Sequence, residues 1–170
     1  MRRMTPPRLR ALFTTVVLAS LPARALAEEH SVIKDPGDHP RYVFEAEPHL
    51  TLGFAGPFDN SHTVGVGFRG TFHIADGFVK RINDSVGVGI GLDFAGDNRL
   101  LLPVVMQWNF WLSTHWSVFG EPGLAIQTAP AHDVILPILY VGGRYNFTDF
   151  IALTMRIGFP DVTVGVSFFL

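Results

Sequence analysis

From Val43 onward the chain alternates between apolar and small or polar residues. In Ser85–Phe94, Val86, Val88, Ile90, Leu92 and Phe94 form one row, and Gly87, Gly89, Gly91 and Asp93 form the other. Successive side chains of a strand point to opposite faces, so this stretch has one wholly apolar face and one nearly bare. A helix would scatter both rows around its axis. The same alternation marks eight segments: 43–54, 63–74, 85–94, 102–112, 116–126, 136–147, 150–159 and 162–169. Turn formers separate most of them: Gly56-Pro57-Phe58-Asp59-Asn60, Asn83-Asp84, Gly96-Asp97-Asn98, Ser113-Thr114-His115, Thr148-Asp149 and Pro160-Asp161. Short strands at such spacing predict an all-β barrel or sandwich.

The composition of the two rows decides how they face. The apolar row carries Leu50, Leu52, Val64, Val66, Phe68, Val104, Met106, Leu124, Leu139, Val141, Met155 and Ile157, and no charge. The other row holds Glu45, Glu47, His49, Arg69, Asp93, Gln107, Asn109, Glu121, Arg144 and Arg156, with most of the strand glycines. Turned inward, the bulky row would crowd one small interior and leave an outer surface made largely of glycine. Turned outward, it suits a lipid solvent, which also requires every backbone group to be paired, as a closed barrel does. Most segments reach the ~9–11 residues that a tilted strand needs to cross a bilayer. The expected fold is therefore all-β: a closed antiparallel up-and-down transmembrane β-barrel of about eight strands. Aromatic residues gather at both strand ends, Phe54, Phe94 and Phe159 at one and Phe110, Trp111, Trp116, Phe147, Phe150, Phe168 and Phe169 at the other, as interfacial belts do.

Composition agrees. Only 16% of the 170 residues are charged, too few for an ordinary soluble surface. There is no cysteine, which excludes a disulfide framework and thiolate chemistry. Residues 1–27 read as a signal peptide: Arg2, Arg3, Arg8 and Arg10 form a basic region, Ala11–Leu21 an apolar one, and Ala25-Leu26-Ala27 a cleavage site. Cleavage there removes five arginines and no acid, leaving 8 basic and 15 acidic side chains, a net charge of −7. That balance gives no basic face for nucleic acid. Residues 28–42, polar and holding Pro36, Gly37 and Pro40, read as a flexible periplasmic lead-in, and the barrel domain as 43–170. His30 and His39 lack close ligand spacing, so the segment is read as solvated rather than as a metal site.

Residues 43–170 resemble the small outer-membrane β-barrels of Gram-negative bacteria, of the OmpA or OmpX type. The resemblance rests on the architecture and on the last strand, Val162-Thr-Val-Gly-Val-Ser-Phe-Phe-Leu170. In that family an alternating final strand ending in an aromatic is read by the assembly machinery; here Leu170 follows Phe169. The resemblance implies a Gram-negative outer-membrane location, lipid and lipopolysaccharide neighbours, a monomer, and termini on the periplasmic side. The loops 55–62, 95–101, 127–135 and 160–161 would then face outward.

Candidate chemistry lies in the inner row. Glu45, Glu47, Arg69, Asp93, Glu121, Arg144 and Arg156 form an expected lumen charge network, with Glu47 set against Arg69 and Glu121 against Arg144. Eight strands leave room only for side chains, so a plugged lumen and a structural or interaction role come first. The alternative is transport or binding of ions or a small apolar ligand. It rests on an apolar inner patch at Trp111, Phe119, Ile138 and Tyr140, facing glycines that vacate space. Pro103, Pro122 and Pro137 could then weaken one side of the barrel as a lateral opening. Enzyme chemistry such as lipid modification trails: the lipid-facing row offers no serine, histidine or carboxylate. No cofactor or metal is expected.

Overall fold

The computed structural model describes residues 30–53, 63–95, 99–128 and 134–170. The expected signal peptide, Phe54 and the loop centres at 55–62, 96–98 and 129–133 lie outside the described residues. The described chain forms β1 (Phe44–Gly53), β2 (Thr63–Asp76), β3 (Asp84–Ala95), β4 (Arg99–Trp111), β5 (Trp116–Thr128), β6 (Val134–Thr148), β7 (Ile151–Phe159) and β8 (Asp161–Phe169). Each strand falls within three residues of the segment read from the alternation. They close in sequence order into one barrel, every pairing antiparallel, with β1 returning to β8. Closure leaves no strand edge, which is the condition for a sheet in lipid.

The phase of every strand agrees with the outward-facing assignment. Leu50, Ile90, Val104, Leu124, Leu139 and Ile157 stand exposed on the outer wall, while Glu47, Arg69, Gln107, Glu121, Arg144 and Arg156 are buried inside. The belts need one correction. Trp111 and Phe169 are on the inner row and buried, so they belong to the interior rather than to the interface. Trp108, which the alternation puts outside, meets Phe110 and Phe78 there instead.

One end of the barrel carries both described termini and the β2–β3, β4–β5 and β6–β7 turns; it is called the terminal end below, and the opposite one the loop end. The inner wall is layered between them. At the terminal end Val32, Tyr42, Trp111, Ala152 and Phe169 form an apolar cluster. Toward the loop end, against β4–β6, Leu101, Val105, Ala125, Ile138 and Tyr140 form another. The charged layer lies between these clusters.

Glycines on the inner wall do not leave empty space. A methyl group on Gly142 would overlap the Phe119 ring, and one on Gly89 would come within 2.9 Å of Val105 Cγ2. The space they vacate is taken by side chains of neighbouring strands. On the outer wall Gly120 has nothing within 4 Å of such a methyl. Gly142→Ala should therefore destabilise the folded barrel by about 1–3 kcal/mol in urea titration from lipid vesicles, by overpacking, whereas Gly120→Ala should leave the midpoint in place. Equal midpoints for the two variants would contradict this packing.

Candidate functional site

The inner residues of highest chemical potential are the ion pairs that cross the lumen. Glu121 on β5 is the hub. Its Oε2 accepts hydrogen bonds from Arg69 Nη1 at 2.8 Å and Arg156 Nε at 2.9 Å, and its Oε1 accepts from Gln107 Nε2 at 2.7 Å. Arg156 Nη1 donates in addition to Glu47, so one guanidinium on β7 ties β5 to β1. Arg144 Nη2 donates to both oxygens of Glu45, at 2.8 and 2.9 Å, while its Nη1 reaches Asn109 Oδ1 at 3.1 Å. Ser167 Oγ donates to Glu45 Oε1 at 2.6 Å. All these charged groups are buried. Such charges persist only when paired and hydrogen-bonded, and arginine's fork supplies several donors in one plane.

The network expected from the sequence is present, but its pairs differ. Glu47 and Arg69 are register partners on β1 and β2, yet Arg69 reaches past Glu47 to Glu121. Glu121 and Arg144 do not share a level: the β5–β6 register sets Glu121 opposite Tyr140 and Arg144 opposite Ser117. Side chains of neighbouring strands project into the lumen side by side. A guanidinium on its long stem spans the narrow bore more readily than it bends back to its neighbour. Asp93 sits further toward the loop end, with Oδ1 2.8 Å from His49 Nε2 and Oδ2 3.9 Å from Arg69 Nη2.

The expected apolar pocket separates into three places. Trp111 lies in the terminal cluster, and Ile138 and Tyr140 lie in the other cluster. Phe119 stands between them under two guanidinium groups, with the carbons of Arg144 and Arg156 each 5.0 Å from its ring centroid. The ring serves as a cation–π floor for the charged layer rather than as the wall of a ligand cavity. The space beside Gly91 is occupied by Pro103 Cγ and Arg69 Nε. Among the described residues, a hollow of 60 Å³ at the loop end is lined by Thr51, Asp93, Arg99 and Asp161 together with Ala95, Leu101 and Pro160, room for a few waters.

The three prolines do not share one seam. Pro103 points inward, in a gap of the β3–β4 pairing between Ile90–Val104 and Asp93–Leu101 across which the register is unchanged. Pro122 points outward, in a gap of the β4–β5 pairing between Val105–Gly123 and Trp108–Gly120 across which the register is also unchanged. Pro137 pairs with Leu124 in an uninterrupted β5–β6 ladder. A similar gap occurs at Pro48 on the β1–β8 seam, so the gaps are spread around the barrel.

Two features escaped the sequence. Asp161, read as a turn residue, opens β8 with its side chain inward, accepting from Tyr140 Oη at 2.9 Å and from Thr51 Oγ1 at 3.0 Å. The lead-in, read as flexible, packs across the terminal mouth from His30 onward. Val32 is fully buried and its N–H donates to Leu112 O at 3.1 Å; Asn83 N–H donates to Ile33 O at 2.8 Å. Asn83 also accepts from Gly37 N–H at Oδ1 and donates from Nδ2 to Asp38 O. The long β2–β3 connection thus has a purpose in holding this segment. The Tyr42 ring meets Phe169 at a tilt of 43°, and burial, with the Glu45 charge behind it, pushes its hydroxyl above the ordinary range, so that it remains neutral. A buried valine four residues ahead of Pro36 was the signal available in the sequence.

Comparison with known proteins bears on the fold. No protein-family model matches the sequence, and no curated protein matches it. Solved structures do match. A barrel from the de novo design of transmembrane β-barrels aligns with a TM-score of 0.55 at 16% identity, over 76% of this chain and 98% of the design. A second design, TMB2.3, solved by solution NMR, gives 0.50 at 13% identity, over 79% and 98%. The Yersinia pestis outer membrane protein Ail, determined in a phospholipid bilayer nanodisc, gives 0.47 at 9% identity, over 74% and 99%. The chain thus has the fold class of the small transmembrane β-barrels.

Removing the hub tests the network. Glu121→Gln takes from buried Arg69 its close carboxylate and from Arg156 one of its two, and should lower unfolding stability by about 3–5 kcal/mol, with denaturant titration in lipid vesicles as the measurement. A loss below about 1 kcal/mol, the scale of an exposed pair, would contradict a desolvated hub.

Proposed function

We propose that this chain is a monomeric outer-membrane protein of a Gram-negative bacterium with a structural or interaction role, and that its lumen is closed to ions and solutes. The observation that carries the reading is Arg156, buried and bonded at once to Glu121 and Glu47 across the bore. With Arg69 and Arg144 it forms a layer of three arginines matched by Glu45, Glu47 and Glu121. A permeant ion would have to break these pairs and leave a buried charge without its partner. The apolar outer wall suits lipid and lipopolysaccharide as neighbours, the apolar leader suits export, and the alternating last strand with Phe168 and Phe169 suits handling by the outer-membrane assembly machinery. In this reading the terminal end, with its packed lead-in, faces the periplasm and the loop end faces outward. Any interaction role belongs to those two ends, since lipid covers the wall between them.

Purified barrel in planar lipid bilayers should show no steady single-channel conductance at neutral pH. Steady channels that scale with the amount of inserted protein would overturn the closed-lumen reading. A detergent-free soluble monomer would overturn the membrane reading itself.

A further inference from the structure

The β2–β3 connection reaches over the rim to the outer wall of the barrel. Phe78 is 72% exposed, yet its ring stands edge-on to Trp108 of the outer row, with centroids 5.7 Å apart and planes at 84°. Trp108 in turn meets Phe110 at 5.1 Å. Aromatic rings gathered on the lipid face near the strand ends stand at the level of the lipid headgroups. Buried Asp84 fixes the seat: its carboxylate accepts from Val79 N–H at 3.2 Å and from Trp108 Nε1 at 2.8 Å. Gly77 N–H donates to Asp84 O at 2.9 Å, and Ile82 N–H to Val79 O at 3.1 Å. Residues 79–82 therefore form a closed turn with Lys80 and Arg81 at its tip, both exposed.

Arg81 is the informative residue of that tip. Its φ is 79°, the only positive value at a non-glycine among the described residues. The third position of a turn with such a backbone favours glycine, because a Cβ is strained there. Arginine at this point places a guanidinium on the rim at a conformational cost, and strain of this kind gathers where a side chain has a task. Among the described residues no carboxylate pairs with Lys80 or Arg81. The acids of the terminal end face other groups. Asp84 holds Val79 and Trp108; Asp76 lies 2.9 Å from His73 and 3.3 Å from His39; Asp35 lies 3.8 Å from His30. Asp38 and Asp149 line the cleft of the lead-in together with Arg41. Two adjacent cations thus stand unpaired beside an exposed aromatic pair.

We propose that the β2–β3 connection holds an anionic phospholipid at the terminal end, with Lys80 and Arg81 on its phosphate and Phe78 and Trp108 against its upper acyl chains. The inference rests on the membrane reading above and adds which lipid this rim selects. A phosphate suits both cations, since arginine's fork can take two of its oxygens and lysine adds a point charge. Trp108 Nε1 is engaged by Asp84, so the indole offers the lipid an apolar surface. A zwitterionic headgroup brings its own ammonium close to these two cations. The same contacts therefore favour a headgroup of net negative charge.

Tryptophan quenching by brominated lipid reads the site in the whole barrel with its lead-in. Trp116→Phe removes the other exposed tryptophan, and Trp111 is buried inside, so Trp108 reports. Brominated phosphatidylglycerol and brominated phosphatidylcholine are compared at equal mole fraction in phosphatidylcholine vesicles, at about 0.15 M salt, where distant charges are screened. The relative association constant should favour phosphatidylglycerol about fivefold or more. Lys80→Gln with Arg81→Gln should bring the ratio to about one. Arg81→Gly, which suits the turn and so keeps the connection folded, should lower it. Arg41→Gln, in the cleft of the lead-in, should retain it. Equal quenching by the two lipids with Lys80 and Arg81 in place overturns the proposal, as does a ratio that survives their joint replacement. A ratio lost equally with Arg41→Gln overturns it in favour of diffuse attraction. Quenching by neither lipid overturns the membrane reading and the proposal with it, whereas equal quenching overturns the proposal alone.

Discussion

Eight strands close around a bore so narrow that opposite walls meet through their side chains, and this confinement governs the rest of the molecule. Charged groups on the inner wall have no water to turn to, so they must find each other across the bore. Arg69, Arg144 and Arg156 do this with Glu121, Glu45 and Glu47. The same confinement explains why glycine is frequent on the inner row. Phe119 fits because Gly142 has no side chain, and Arg69 lies along the wall because Gly91 has none. Most of the bulky apolar residues among those described are outside, and those within gather in two clusters above and below the charged layer.

The barrel was legible in the alternation because a strand's side-chain period does not depend on what surrounds it. A single row of five apolar residues in Ser85–Phe94 sets the phase of β3, and seven further rows repeat it. Which row faces lipid also followed from composition, since the inner row alone contains charges. The partner of each charge was not legible. Adjacent strands and matched depth suggested Glu47 with Arg69, but a long guanidinium stem reaches across the bore, and strand order does not encode that distance. Asp161 was hidden for a related reason. An aspartate after a proline has turn chemistry in its favour, and only the inward phase of β8 reveals its pairing with Tyr140 and Thr51.

The lead-in was the larger surprise. Its prolines, glycine and charges are those of an unstructured linker, and only Val32 and Tyr42 enter the apolar cluster at the mouth. Its hold comes instead from backbone bonds to Leu112 and Asn83 and from a histidine stacked on Trp111. Such partners are distant in sequence and polar in kind, so no local pattern announces them. The terminal end is consequently closed twice, by this segment and by the charged layer beneath it. The loop end has a small hollow of mixed lining among the described residues. The two ends differ in chemistry while sharing one continuous outer wall.

The central claim is that the apolar row of this barrel faces lipid. The chain has no cysteine, so single cysteines can be introduced on the outer row at Val86, Val88, Ile90, Leu92 and Phe94 and spin-labelled in lipid vesicles. Oxygen, which concentrates in the hydrocarbon, should collide most with the label at Ile90 and progressively less toward both ends. A water-soluble relaxant should show the reverse profile. A water-soluble relaxant that reaches Ile90 as readily as Val86 or Phe94 would contradict the account.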